Sequence, residues 1–491
     1  MYERKMPSLK INALLNSISS VMAIVFPLIT YPYATRVLQA ENLGKVNFAS
    51  STIGYFSLIA VLGITSYAAR EGVQYRSDRR KLNQFCSELF TLNMFTSIVA
   101  LVLLIGCWCI VPKLQEYTLL LVIYSMTIVF GTIGLSWLYT LEEDYLYITS
   151  RSILIQFVSL VLLFVFVKNK EDFYKYAAIN AFANVGANIF NLFYCKRYID
   201  LKICCDVKKI FRHLKSCLIF FSSSLASSIY SNIDTTMLGF ICGDYSVGIY
   251  SGAVKIYVMI KTLLSSITSV TMPRLTYYIT HNQKEEYNLL ISRIFKAMIT
   301  LLLPVVIGLN VVSKEVTIIL LGNGFKSAET VLRILAVAIF FAMFATVVNG
   351  CILLPNKKEK IVLKATIIAA VANLATNFIA IPLWRQNGAA ITTVFSECIV
   401  FAIGWYSARG FVKIQSMRRT IITSCIGCTA IMMIGVVCEL YLEKLFILLC
   451  VKVFLCINTY FLLLYALKNE IVLECVNKIL EKFVLRKEKD L

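Results

Sequence analysis

Histidine is almost missing from this sequence. Its 491 residues include only His213 and His281, too few to support histidine-based metal binding or acid–base chemistry. Charge is also scarce: Asp, Glu, Lys and Arg make up 15% of the chain, against about 25% in ordinary soluble domains. Hydrophobic residues make up 58%, which is more than a soluble core could hide. No nucleotide-binding loop is present, because GNGFKS at Gly322–Ser327 lacks the P-loop spacing. No loop is long enough to carry a catalytic domain, and no paired carboxylates or nucleophile constellation stands in one. No catalytic residues are therefore assigned, and the chain reads as something other than an enzyme.

The 16 cysteines do not reverse this picture. Cys107, Cys109, Cys217, Cys351 and Cys456 lie in apolar runs and read as small packing residues. Cys425 and Cys428 form a CxxC with neither a histidine nor a second pair nearby, so zinc and redox roles are excluded. No metal and no cofactor are expected.

What the sequence does have is long apolar runs. From Ile11 to Arg76, two such runs flank the turn RVLQAENLGK. Each has about twenty residues, enough to cross a bilayer as a helix. In lipid the backbone must satisfy its own hydrogen bonds, so each run must be helical. The unit repeats along the chain and gives about fourteen spans. Continuous runs of this length exclude a β-barrel, whose strands are short and alternating. The fold class is therefore an all-α polytopic membrane protein.

The formal net charge of +20 would suggest nucleic acid in a soluble protein. Here Lys and Arg concentrate in alternate loops, which reports topology instead, and no nucleic-acid partner is expected. The pattern places both termini in the cytoplasm, including the basic end Met1–Lys10. It also gives the inner face an affinity for anionic membrane lipids. Six spans in residues 1–195 precede a basic cytoplasmic linker, 196–216. Six more occupy 217–409, two further spans follow in 410–467, and 468–491 reads as an amphipathic cytoplasmic tail. Gly44 and Arg70 are spaced as Gly248 and Arg274 are, a parallel internal echo that puts substrate between the halves.

Charged groups inside spans are costly and usually face a cavity or a partner. Lys255, Lys261, Lys296, Arg333 and Lys452 are the basic ones. Lys452 reads as a lysine that snorkels to the interface. Asp234 and Glu397 are the clearest acidic ones and are candidates for a coupling ion. Asp234 and Lys255 lie at similar depths on neighbouring helices, where an ion pair is feasible. Asn180, Asn184, Asn188 and Asn191 share one helical face, as do Ser224, Ser227 and Ser231 with Asp234. Such faces serve either interhelical hydrogen bonds or a hydrated lumen that touches sugar hydroxyls.

The stretch FPLITYPYATRVLQAENLGKVNFASSTIGYFSLIAVLGITSYAARE (Phe26–Glu71) resembles the Wzx-type polysaccharide repeat-unit flippases of the MOP exporter superfamily. So do NIDTTMLG (Asn232–Gly239), VGIYSGAVKI (Val247–Ile256), MPRL (Met272–Leu275) and LLGNGFKSAETVLRIL (Leu320–Leu335). Gln39 stands where that family usually has glycine. The resemblance implies two six-helix lobes in a V shape plus two C-terminal helices. It implies transport of undecaprenyl-pyrophosphate-linked oligosaccharide from the inner to the outer leaflet of a bacterial cell membrane, with the polysaccharide polymerase machinery as a further partner. The anionic diphosphate would need cations, and Arg36, Arg70, Lys255, Lys261, Arg274, Lys296 and Arg333 are the candidates. The alternatives are a lipid-linked peptidoglycan precursor flippase, a MATE-like drug or cation antiporter and, from another class, a membrane glycan polymerase.

Overall fold

The computed structural model describes residues 9–487. Side chains are described from Val25 to Lys478 apart from 267, 269 and 270, and for Leu15, Ile18, Val21 and Met22 before that. The expected cytoplasmic N-terminal end falls largely outside the described residues. The chain divides into two compact units, 1–251 and 252–491.

The first unit is built from α1 (Leu9–Val61), α2 (Ile64–Glu71), α3 (Arg79–Ile110), α4 (Thr118–Ile133), α5 (Ser136–Leu141), α6 (Tyr145–Phe166), α7 (Phe173–Val185), α8 (Ala187–Tyr194) and α9 (Leu214–Ile241). The first turns of α10 (Asp244–Thr280) complete it. α1 is the centrepiece and packs on α3, α4, α6 and α9. The second unit takes the rest of α10 with α11 (Lys284–Val311), α12 (Ser313–Leu321), α13 (Ala328–Val347), α14 (Glu359–Ala408), α15 (Arg418–Tyr441), α16 (Leu445–Ala466) and α17 (Glu470–Lys487).

Nine helices among the described residues are long and apolar enough to cross a membrane, and this is a multi-pass membrane protein. Two of the nine stretches, Val25–Tyr75 and Glu359–Ala408, have 51 and 50 residues and hold two spans each. A single left-handed residue breaks each pair: Gln39 (φ 64°, ψ 173°) in α1 and Arg385 (φ 49°, ψ −130°) in α14. The remaining expected spans have physical reasons to look weaker. α4 is short, the α7–α8 span is split at Gly186, and α9 is diluted by serine and asparagine.

Gly44 and Gly248, the glycines of the internal echo, meet where α1 and α10 cross. A Cβ on Gly44 would lie 1.8 Å from the Asp244 carbonyl oxygen, and one on Gly248 would lie 1.8 Å from that of Ala40. Only glycine lets the two backbones touch. Beside them, the Tyr117 hydroxyl donates to Asp244 Oδ1 at 2.5 Å.

The basic segment 196–216 is fastened to α3. The backbone N–H groups of Asp200, Lys202 and Cys204 donate to Asn83 Oδ1, Ser87 Oγ and Thr91 Oγ1 at 3.1, 3.1 and 3.0 Å. Ile199 and Ile210 are buried in the cluster of Tyr67, Phe85, Leu138 and Cys217. Its last residues close on buried Glu88, which takes Arg212 Nη2 at 2.7 Å and His213 Nε2 at 2.8 Å. The Tyr67 hydroxyl lies 2.8 Å from the other ring nitrogen of His213. Burial holds the His213 imidazole below its ordinary pKa, against the opposing pull of Glu88.

Lys452 does not snorkel. Its side chain is fully buried, with Nζ 2.8 Å from Glu315 of α12 and 2.7 Å from Glu439 of α15. Two carboxylates from other helices hold the charge in place, so the side chain has no reason to reach for the interface. The tail helix α17 docks on α11 through Lys296–Glu470 at 2.5 Å and through Arg293–Glu474. Of its apolar residues, Val472 and Val476 pack into the second unit's core. The side chains of Ile479, Leu480 and Phe483 lie outside the described residues.

Candidate functional site

In the first unit, one face of α9 is an unbroken polar strip. Ser223, Ser224, Ser227, Ser228, Ser231 and Asn232 line an open recess of about 480 Å³. The helical period puts residues three and four apart on one side, so the expected Ser224, Ser227 and Ser231 do come together. Ser223, Ser228 and Asn232 widen the strip. Asp234 lies one turn beyond and is buried. It accepts the Tyr250 hydroxyl at 2.6 Å. Lys255, its expected neighbour, is half-buried on α10 in the second unit.

The four asparagines divide into two pairs. Asn184 hydrogen-bonds Asn180 and is exposed. Asn188 and Asn191 are buried and structural. Asn191 Nδ2 donates to the Gly134 carbonyl at 2.8 Å and to Asn188 Oδ1 at 3.1 Å. Its Oδ1 accepts the Tyr147 hydroxyl at 3.1 Å and the Arg151 guanidinium. The buried half of the asparagine face makes interhelical hydrogen bonds, and the other half is partly exposed.

In the second unit, Lys261 of α10 and Glu397 of α14 form an ion pair at 2.8 Å. The Tyr257 hydroxyl donates to the same Glu397 oxygen at 2.8 Å. Tyr257 lies one helical turn before Lys261, which puts both on the face that meets α14. Glu397 is buried, whereas the Lys261 side chain keeps 31% of its surface exposed. This is a cation held inside an apolar bundle by an acid, with one side exposed.

The other basic candidates are spread out. Arg36 is exposed just before the Gln39 kink, and its carbonyl accepts Gln39 Nε2 at 2.8 Å. Arg70 is exposed in the last turn of α2. Arg274 follows Pro273 in α10 and donates from Nε to the Tyr278 hydroxyl at 2.9 Å. Lys296 is buried against Glu470 of the tail. Arg333 pairs with Glu329 at 2.8 Å and donates to Ser313 Oγ at 2.7 Å. It caps an apolar groove of about 570 Å³ that includes Val337, Phe341 and Phe395.

The sequence reading missed Tyr250, Tyr257 and Arg151. A tyrosine one turn from a span lysine was a usable signal for Tyr257. Nothing local announced the acid that Tyr257 and Lys261 share.

A bundle of long apolar helices with ion pairs inside and a hydroxyl-lined recess defines a polytopic α-helical membrane protein. Its fold is that of lipid II flippase MurJ in an inward-closed conformation, with TM-score 0.74 and 15% identity over 92% of this chain and 98% of that one. An inward-facing multidrug resistance MATE transporter of the MOP superfamily matches at TM-score 0.59 and 17% identity, over 81% of this chain and 97% of that one. In sequence, the chain is 26% identical over 404 residues to the "Putative O-antigen transporter" of Escherichia coli (strain K12), covering 81% of this chain and 95% of that protein. Residues 9–279 match the polysaccharide biosynthesis protein family, and the chain belongs to that family.

Proposed function

We propose that this protein is a flippase that carries undecaprenyl-pyrophosphate-linked oligosaccharide repeat units from the inner to the outer leaflet of a bacterial cell membrane, with both termini in the cytoplasm. The observation that carries this reading is the half-open Lys261–Glu397 pair inside the second unit. A pyrophosphate competes with Glu397 for the lysine, because charge-assisted bonds to phosphate gain strength where water is scarce. Glu397, once displaced, is left as a buried carboxylate that a proton or cation would neutralise, which links anion entry to uptake of a coupling ion. Asp234 is a second group of this kind. The hydroxyl strip on α9 offers replaceable hydrogen bonds to sugar hydroxyls, while the prenyl chain stays in lipid. The family match and the E. coli relative's name support export of surface polysaccharide. The chain works without covalent chemistry and hands its cargo to the polymerase machinery.

The test is a leaflet assay. Deleting the gene should leave lipid-linked repeat units accumulated on the cytoplasmic face. Reintroduced wild-type protein and Lys261→Arg should clear them, and Lys261→Gln should not. Accumulation only of units already on the outer face would overturn the reading in favour of a polymerase. Rescue of a strain that lacks its lipid II flippase, without clearance of repeat units, would redirect it to the peptidoglycan precursor.

A further inference from the structure

Arg151 is the least compensated guanidinium in the interior of the first unit. It lies on α6, about 9 Å along the helix from its start. Its planar group stacks beside two rings, 5.4 Å from the Tyr139 centroid and 5.3 Å from that of Tyr147. Its hydrogen bond goes to Asn191 Oδ1. All three partners are neutral, and Arg151 has no carboxylate partner among the described residues.

Carboxylates are close by in sequence, which makes this informative. The turn before α6 carries Glu142, Glu143 and Asp144, and each is engaged elsewhere. Arg76 reaches Glu142 at 3.7 Å and Glu143 at 3.0 Å. Asp144 caps α6 through the Tyr147 N–H at 3.2 Å and accepts the hydroxyls of Tyr194 and Tyr198 at 3.1 and 2.6 Å. The local acids are therefore spent on architecture.

The cage around Arg151 is itself rigid. Tyr147 stacks on Tyr194 at 3.9 Å, Tyr139 is fully buried, and the Tyr139 hydroxyl donates to the Asn191 carbonyl at 2.5 Å. The arginine is pre-ordered, partly exposed, and has N–H donors to spare in the fork geometry that suits a phosphate. A preorganised cation in an aromatic cage, short of negative charge, is a binding site awaiting an anion. By charge topology this end of α6 faces the cytoplasm, the side on which a lipid carrier is loaded.

We infer that Arg151, braced by Tyr139, Tyr147 and Asn191, binds the phosphate of a lipid headgroup at the cytoplasmic side of the first unit. The inference rests on the flippase reading for its substrate, with the carrier's pyrophosphate as the anion. An anionic phospholipid presents the same chemistry.

The experiment uses full-length protein in nanodiscs of phosphatidylcholine. Undecaprenyl pyrophosphate is titrated in one arm and phosphatidylglycerol in the other, with native mass spectrometry counting bound lipid. Arg151→Gln should weaken binding about tenfold in the arm that carries the natural ligand, a loss of about 1.4 kcal/mol. Arg151→Lys keeps the charge but loses the fork, and should weaken it about threefold. Loss in the prenyl arm assigns the site to the carrier, and loss in the phospholipid arm assigns it to bulk lipid. Unchanged binding in both arms overturns the inference. If Arg151→Gln does not fold, Arg151→Lys decides alone, and wild-type affinity from it in both arms overturns the inference. Wild-type protein that binds no undecaprenyl pyrophosphate at all would instead count against the flippase reading, and the phospholipid arm would still judge Arg151.

Discussion

Neutralising Lys261 and Glu397 together should cost less than the sum of neutralising each alone. Glu397 is buried, with Lys261 and Tyr257 as its partners at 2.8 Å. Breaking a fully buried pair by removing one member costs about 3–5 kcal/mol, because the survivor keeps its desolvation penalty. Lys261 is 31% exposed, so solvent screens part of this and about 2–3 kcal/mol remains for Lys261→Gln. Glu397→Gln should cost less, about 1 kcal/mol, since the freed lysine can turn toward its open side. In Lys261→Gln/Glu397→Gln no buried charge is stranded, and a coupling of about 1–2 kcal/mol should appear between the two sites. Unfolding of the four proteins in mixed micelles measures the cycle. Effects that add to within about 0.5 kcal/mol would refute a coupled pair. The same double variant separates structure from transport: it should be folded but should fail to clear lipid-linked repeat units. If it exports normally, the cation has no part in carrying the anion.

Three further outcomes test the scaffold. Gly248→Val should push α10 off the Ala40 carbonyl and cost about 3 kcal/mol or more in thermal unfolding, whereas Gly54→Ala, whose added Cβ would meet open space, should be neutral or slightly stabilising. Gln39→Gly should raise the unfolding temperature by relieving a left-handed backbone that L-residues avoid, a gain of about 1 kcal/mol; an unchanged or lower temperature would show that the Gln39 side-chain bond to Arg36 offsets the strain. Because burial depresses the folded-state pKa of His213, the unfolded chain takes up that proton first as pH falls below about 6.5. Stability should therefore be flat above that pH and decline beneath it, and His213→Gln should remove that component of the slope.

The sequence alone determined the helical hairpins, since a chain with so few charges and such long apolar runs can satisfy its backbone in lipid in one way. It also fixed the serine face of α9, because three- and four-residue spacing maps directly onto one side of a helix. The glycine echo was legible too, but its meaning was not: spacing marked Gly44 and Gly248, and only their packing revealed that each lies on the other helix's backbone. The ionic partners belonged to tertiary structure entirely. Lys261 and Glu397 are 136 residues apart, and Lys452 and Glu315 are 137 apart. Helical periodicity says which face a charge occupies and nothing about which helix comes to lie against it. For the same reason Lys452 read as a residue bound for the membrane surface, and nothing in the sequence singled out Arg151. Lateral packing gave the first two acids and the second a cage of neutral rings, and that difference separates a structural tie from an open anion site.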